Sequence, residues 1–307
     1  MPGGQTAAHA TTEEVMPPRT APTERQRRLG AELRKLRMKA RLSGDDVAAL
    51  IDADRSRVSH IEAGRVDVPR NGLYKLLRAY GCEDGPFFDA LMAMAHDRGK
   101  GWWDQYDDVL TRRALDLAEL ESRSTAVRVH EASVVPGMLQ TEDYVRGVIA
   151  SAEGDHRHLE RWVQFRLDRQ RMLAEYQAFH VVIHESALRT RVGDASVMRR
   201  QLLRLIEVAR LPQVTVQIFP FEKGPYSSHS RSFMLFGGAT PELETLYREH
   251  PTGADFIGDS DRIGEYATMF ERLVSLALAP IDPTAPPEDQ EAHGSLGLIQ
   301  HLLYDLR

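Results

Sequence analysis

The chain has 307 residues, 42% of them hydrophobic and 27% charged, with a formal net charge of -6. That length suits about two domains, and without a run of about 18 apolar residues no membrane-spanning helix is expected. One cysteine, Cys82, excludes an intramolecular disulfide and fits a reducing cytoplasm.

The first stretch, "MPGGQTAAHATTEEVMPPRTAP", has no basic segment followed by an apolar one, so it does not read as a signal peptide. Its Pro, Thr, Ala and Gly content buries little surface, and residues 1–23 read as a disordered leader. Charge is uneven beyond it. Residues 24–65 hold eleven Arg or Lys against seven acids, a local +4 that leaves -10 for the rest. A basic module on an acidic body is the electrostatic footprint of nucleic-acid contact. Solvated helices carry such charge too, so the signal is weak alone.

"ERQRRLGAELRKLRMKA" (24–40) spaces Leu29, Leu33, Leu36 and Ala40 as one helical face. Ser43 then caps a second helix, with Asp45 and Asp46 in its first turn, where the helix dipole favours acids. That helix stops at Asp52. Asp54 caps a third, "RSRVSHIEAGR" (55–65), which ends at Gly64. "RNGLYKLLRAYG" is a fourth, closed by Gly81, and "GPFFDALMAMAHDRGKG" a fifth, with Pro86 at its start and Gly99 past its end. Five short helices predict one all-α domain over residues 24–100.

Residues 101–125 read as a linker segment, in which Trp102 and Trp103 are packing anchors. From 126 the pattern changes. "AVRVHE", "FHVVIHESAL", "VTVQIFPF", "SFMLFG" and "ETLYRE" read as strands, with helices between them at 141–151, 156–175, 195–210 and about 260–279. This predicts a mixed α/β domain over 126–280, and an α+β multidomain chain. Residues 281–307 read as a polar, Pro-rich tail with a short helix, "LGLIQHLLYDLR".

Residues 44–65 carry the strongest signal. Two helices cross at a tight turn only if the inner residue of the first is small, here Ala48. Four positions on, the turn needs a left-handed residue, and Asp52 is among the few non-glycines that tolerate it. Val58 and Ile61 then point back into the core. Small, turn, aliphatic and aliphatic at 48, 52, 58 and 61 is helix-turn-helix spacing. With those aliphatics inward, Ser56, Ser59 and His60 face outward and Arg55 and Arg57 flank them. Exposed serines are odd for plain solvation and sensible where another surface must come close. Arg55 is the expected guanine reader, with base contacts also from Ser56, Ser59 and His60. Lys39, Arg41, Ser43, Arg57 and Arg65 are the expected phosphate contacts.

"LGAELRKLRMKARLSGDDVAALIDADRSRVSHIEAGR" resembles the lambda-repressor-like (Xre) helix-turn-helix family, most specifically in "SRVSHIEAGR". The resemblance implies base contact at Arg55, Ser56 and His60, and a structural ion pair between Arg37 and Glu62. Two positions depart from the family pattern. Gly44 stands where a phosphate-binding glutamine is common, so that contact is expected to be lost, and Asp52 replaces the turn glycine at some cost in strain. "GWWDQYDDVL", "VHEASVVPGMLQTEDYVRGVI", "RLDRQRMLAE" and "LPQVTVQIFPF" resemble the C-terminal domain of actinomycete regulators that fuse such a module to a body of uncharacterised function. The resemblance runs from about residue 24 to 280. It implies an antitoxin-like setting in some members, with a small, acidic partner protein encoded nearby.

The body offers little else. His184, His229 and Glu185 lack metal-ligand spacing, so neither a metal nor a catalytic role is expected. "EKGPYSSHSRS" (222–232) reads as a polar loop. The arginines at 161, 166, 169 and 171 read as a solvated helix face paired with Asp168 and Glu160, with an anion site as the alternative. "VVPGMLQT" is expected to be buried near the sheet. No nucleotide-binding or nucleophile-elbow fingerprint occurs, and no cofactor is expected. The expectation is therefore a cytoplasmic, non-enzymatic transcription regulator that binds double-stranded DNA as a homodimer. The body as a platform for a partner protein, or as a small-molecule sensor, stays open.

Overall fold

A computed structural model describes residues 21–97, 99–151, 157–224, 231–284 and 294–306. Most of the expected leader, the centre of the 222–232 loop with His229, and most of the Pro-rich stretch after 281 lie outside the described residues. The chain divides into two compact units. One runs through Glu83 and takes in Leu91–His96; the other takes in Asp84–Ala90 and everything from Asp97 on.

The first unit is built from α1 (Glu24–Lys39), α2 (Gly44–Leu50), α3 (Arg55–Glu62), α4 (Arg70–Ala79) and part of α5 (Pro86–His96). Thr23 starts α1 with a capping box: its hydroxyl accepts the Gln26 N–H, and the Gln26 side chain accepts the Thr23 N–H. α1 closes through Arg41, which sits left-handed at φ +59 while the Leu42 N–H returns to the Arg37 carbonyl. Asp52 is left-handed too, at φ +51. α3 ends in a Schellman motif, with Gly64 at φ +71, its N–H on Ile61 O, and the Arg65 N–H on His60 O at 2.8 Å. Leu29, Leu33, Val47, Ala48, Val58, Ile61, Leu73, Leu76 and Leu77 are buried, each fully buried leucine contributing about 1.5–3 kcal/mol.

α1 and the end of α3 touch backbone to backbone. A Cβ at Gly30 would lie 2.5 Å from the Glu62 carbonyl oxygen, and one at Gly64 would lie 2.6 Å from the Gln26 carbonyl. Neither position tolerates a side chain without moving a helix.

The second unit is a six-stranded mixed sheet in the order β3-β2-β1-β4-β5-β6. β1 (Ala126–Glu131), β2 (Ala178–His184) and β3 (Val214–Phe219) run parallel, while β4 (Phe233–Gly237), β5 (Thr245–His250) and β6 (Gly253–Ile257) pair antiparallel. Parallel pairing needs long crossovers. α7 (Glu142–Ser151) and α8 (Leu159–Arg169) lie between β1 and β2, and α9 (Glu185–Arg189) and α10 (Ala195–Val208) between β2 and β3. Val129, Val181, Val216 and Met234 share one core with Leu202 and Leu205 of α10 and Ile299 of α12 (Ser295–Asp305). The opposite face packs Val182, Phe233 and Leu246 against Ile263, Phe270 and Leu273 of α11 (Ser260–Leu276).

The sequence expectations need five amendments. Residues 101–125 are not a bare linker: they hold a 3-10 turn (Trp102–Tyr106) and α6 (Arg112–Arg123), and Trp103, Tyr106, Leu115 and Ala118 are buried with Phe165. β2 ends at His184, because the His184 Nδ1 accepts the Ser186 N–H and caps α9 where strand was expected through Leu188. α8 tightens into 3-10 turns after Arg169, where Gln170 donates to the Gly137 and Gln140 carbonyls. β6 was not expected at all. Nor are residues 281–307 a tail, since Ile281, Leu296, Ile299 and Leu302 are buried in the sheet core. Leu278, Ile281 and Ser295 also cover the outer edge of β3. The Leu278 and Ile281 N–H groups reach the Ile218 and Val216 carbonyls at 2.9 Å each, and Ser295 Oγ accepts the Ile218 N–H at 3.0 Å.

Candidate nucleic-acid interface

The helix-turn-helix of α2 and α3 seats its outward side chains through two N-caps. Asp54 Oδ1 accepts the Arg57 N–H and the Ser56 hydroxyl, each at 2.7 Å. Those bonds hold the Asp54 carboxyl below its ordinary range. Val58 and Ile61 are buried behind, so Arg55, Ser56 and Ser59 stand exposed and Arg57 and His60 half-exposed. The Arg55 side chain keeps 76% of its surface open and lies 3.8 Å from Asp45, a distance at which an exposed pair contributes little. Its stem has a floor. A Cβ at Gly44 would meet Arg55 Cγ at 3.4 Å, so the arginine stem rests on this glycine.

Of the expected phosphate contacts, Lys39, Arg41 and Arg65 are exposed and Arg57 is half-exposed. Ser43 is exposed too, and caps α2. Its hydroxyl donates to Asp46 Oδ2 at 2.7 Å and accepts the Asp46 N–H at 3.1 Å, and its own N–H also goes to that carboxylate. Hydrogen bonds from Ser43 hold Asp46 ionised to unusually low pH. The Asp46 carboxylate thus sits at the α2 N-terminus, where the helix dipole favours it.

Arg37 and Glu62 meet. Arg37 Nε and Nη2 reach the two Glu62 oxygens at 2.5 and 3.1 Å, and Nη1 donates to the Leu42 carbonyl at 2.8 Å. Both side chains are mostly buried, 17% and 10% exposed, and the hydrogen bonds to Glu62 raise the Arg37 pKa. The pair ties α1 to the end of α3. Gly30 was missed in the sequence; an isolated glycine inside a helical pattern is the signal that marks such a close approach.

In the second unit, "VVPGMLQT" is buried as expected at Val135, Met138, Leu139 and Gln140. His184 caps α9, and Glu185 pairs with Arg189 and accepts the Phe221 N–H at 2.8 Å. Among the described residues no group of three His, Cys, Asp or Glu comes together to hold a metal, and no helix is long and apolar enough to cross a membrane. The arginine run divides. Arg171 pairs with Asp168 and Arg161 with Asp108. Arg169 instead meets buried Glu121 at 2.6 Å, and Arg166 is half-buried.

Glu131, at the end of β1, escaped the sequence reading. Burial pushes its carboxyl up to about 7, although Ser232 donates to it. Ionising it in the fold is costly, so its penalty is absent below about pH 4.5, grows to about pH 7 and is constant above. Glu131→Gln is expected to be more stable than the parent by about 2–3 kcal/mol at pH 8 and equal to it near pH 4, read by urea unfolding. Nearby His130 runs oppositely: burial lowers it to about 4, so the fold loses stability as pH falls from 6.5 towards that value.

Residues 28–90 match a family described as a helix-turn-helix domain, and residues 114–285 match a domain of unknown function, DUF5753. No curated protein and no solved structure matches the chain. The second match spans more than half of the chain, and the protein belongs to that DUF5753 family, with a helix-turn-helix domain ahead of the body.

Proposed function

We propose that the protein is a sequence-specific transcription regulator of the lambda-repressor-like type, which lays α3 in the major groove of DNA. One observation carries this reading: Arg55, Ser56 and Ser59 stand exposed on the short helix whose other side is locked down by Val58 and Ile61. Arg55 reads guanine through paired N–H donors. Ser56 has its proton on Asp54, so it meets a base as an acceptor, which suits the amino groups of adenine or cytosine. Ser59 and His60 make the remaining base contacts. Lys39, Arg41, Arg57 and Arg65 hold phosphates and set the register. The left-handed backbone at Arg41 supports its role, because a non-glycine in that strained region is a reason to look for function. One such module buries too little surface for strong specificity, so the active form is a homodimer on half-sites about one helical turn apart.

The test is a band-shift titration of the full chain on the promoter of its own operon. Arg55→Ala is expected to weaken preferred-site binding by about 1–3 kcal/mol while leaving random-sequence binding in place. Unchanged affinity and preference in that variant would remove Arg55 as the reader. Log affinity should also fall with log salt, and Arg65→Ala should reduce that slope by about 0.9, equally for all sequences.

A further inference from the structure

The second unit contains a cleft of about 800 Å³ between the start of α6, the middle of α8 and the β5–β6 hairpin. Small-molecule sites are typically about 300–1,000 Å³. Part of its lining is apolar: Val109, Leu110, Ile149, Trp162 and Phe165. The Trp162 indole N–H is already held by the Val109 carbonyl at 3.0 Å, so the ring offers only its apolar surface.

The rest is rich in cations. Arg112, Arg113, Arg166 and Arg169 line it, with Glu249 the one acid among the lining residues. Arg112 pairs with Asp116 at 3.1 Å, and Arg169 with Glu121 at 2.6 Å. Arg113 lies flat on the hairpin, its Nη1 donating to the Thr252 carbonyl and filling the space a Cβ would need at Gly253. Arg166 differs from all of these. Its guanidinium donates to Gln140 Oε1 at 3.1 Å, and among the described residues no carboxylate forms an ion pair with it. Glu131 and Glu249 act on it only through space, and Arg169 repels it. A guanidinium carries five donors and never loses its charge. Half-buried, it has carboxylates near it, but among the described residues none is bonded to it and most of its donors have no protein acceptor.

We propose that this cleft binds a small monoanionic molecule with an apolar, ring-sized body. Its carboxylate pairs side-on with Arg166, and its body lies against Trp162 and Phe165. The site stands apart from the DNA reading, because its assay contains no DNA.

The experiment titrates the full chain with 2-naphthoate and, separately, with uncharged 2-naphthamide, by calorimetry. The expected result is one naphthoate per chain, bound roughly tenfold or more tighter than the amide. Arg166→Gln should bring the acid-to-amide ratio to about one, while Arg204→Gln, which breaks a pair with Glu207 within α10, should keep it. Ala254→Phe, which fills the cleft from β6, should abolish binding of both. No naphthoate binding, equal binding of acid and amide, a preference that survives Arg166→Gln, or full binding in Ala254→Phe would each overturn the proposal. If Arg166→Gln fails to fold, the acid–amide comparison on the parent and the Ala254→Phe result still decide it.

Discussion

Arg37→Ala is expected to destabilise the helix-turn-helix unit by about 3–5 kcal/mol, the usual cost of stranding one partner of a buried ion pair. The substitution takes the guanidinium away from Glu62, whose side chain is 10% open in the intact pair, and strips the Leu42 carbonyl of its donor. It also releases the tie between α1 and the end of α3, on which the placement of Arg55 depends. The measurement is the thermal transition of the full chain, with hydrogen exchange at α1 and α3 amides locating the loss. Replacing both partners, Arg37→Met with Glu62→Leu, should recover most of it, because two apolar side chains of similar volume leave no charge to desolvate. A single-variant loss below about 1 kcal/mol would mean the pair behaves like a surface one.

The second large effect is at Gly64. Alanine there takes on the left-handed backbone at φ +71, about 1–2 kcal/mol. Its Cβ also lands 2.6 Å from the Gln26 carbonyl and 2.8 Å from the Arg27 nitrogen, an overpacking of about 1–3 kcal/mol. Together the expected loss is about 2–5 kcal/mol. Gly81→Ala is the control. Gly81 has φ +73 but nothing within 4 Å of an added Cβ, so it should show the conformational part alone. Equal losses at the two sites would rule out the close approach of α1 to α3.

The helix-turn-helix was legible because its determinants are local. Ala48, Asp52, Val58 and Ile61 lie within fourteen residues, and caps at Ser43 and Asp54 mark both helix starts. Exposure of Arg55 and Ser56 followed from helical geometry alone. Ser43 and Asp46 form a capping box that their three-residue spacing already marks. In the body, β1 to β5 announced themselves through β-branched and aromatic runs. β6, "GADFI", has no alternation and is half-buried throughout, so only its pairing with β5 makes it a strand. Arg166 and Arg169 read as a solvated face because charge is normally outside. Their partial burial depends on Gln140 and Glu121, 26 and 48 residues away. Long-range pairing of that kind leaves no local trace.

The cover over β3 bears on how this chain can be shortened. A protein cut near residue 280 would retain all six strands, yet the flank of Val216 and Ile218 would be stripped of Ile281 and Ser295. Bare main-chain groups along such a flank invite the like flank of another molecule. The same cut takes Ile281, Leu296, Ile299 and Leu302 out of the core, so self-adhesion would come on top of a weakened body.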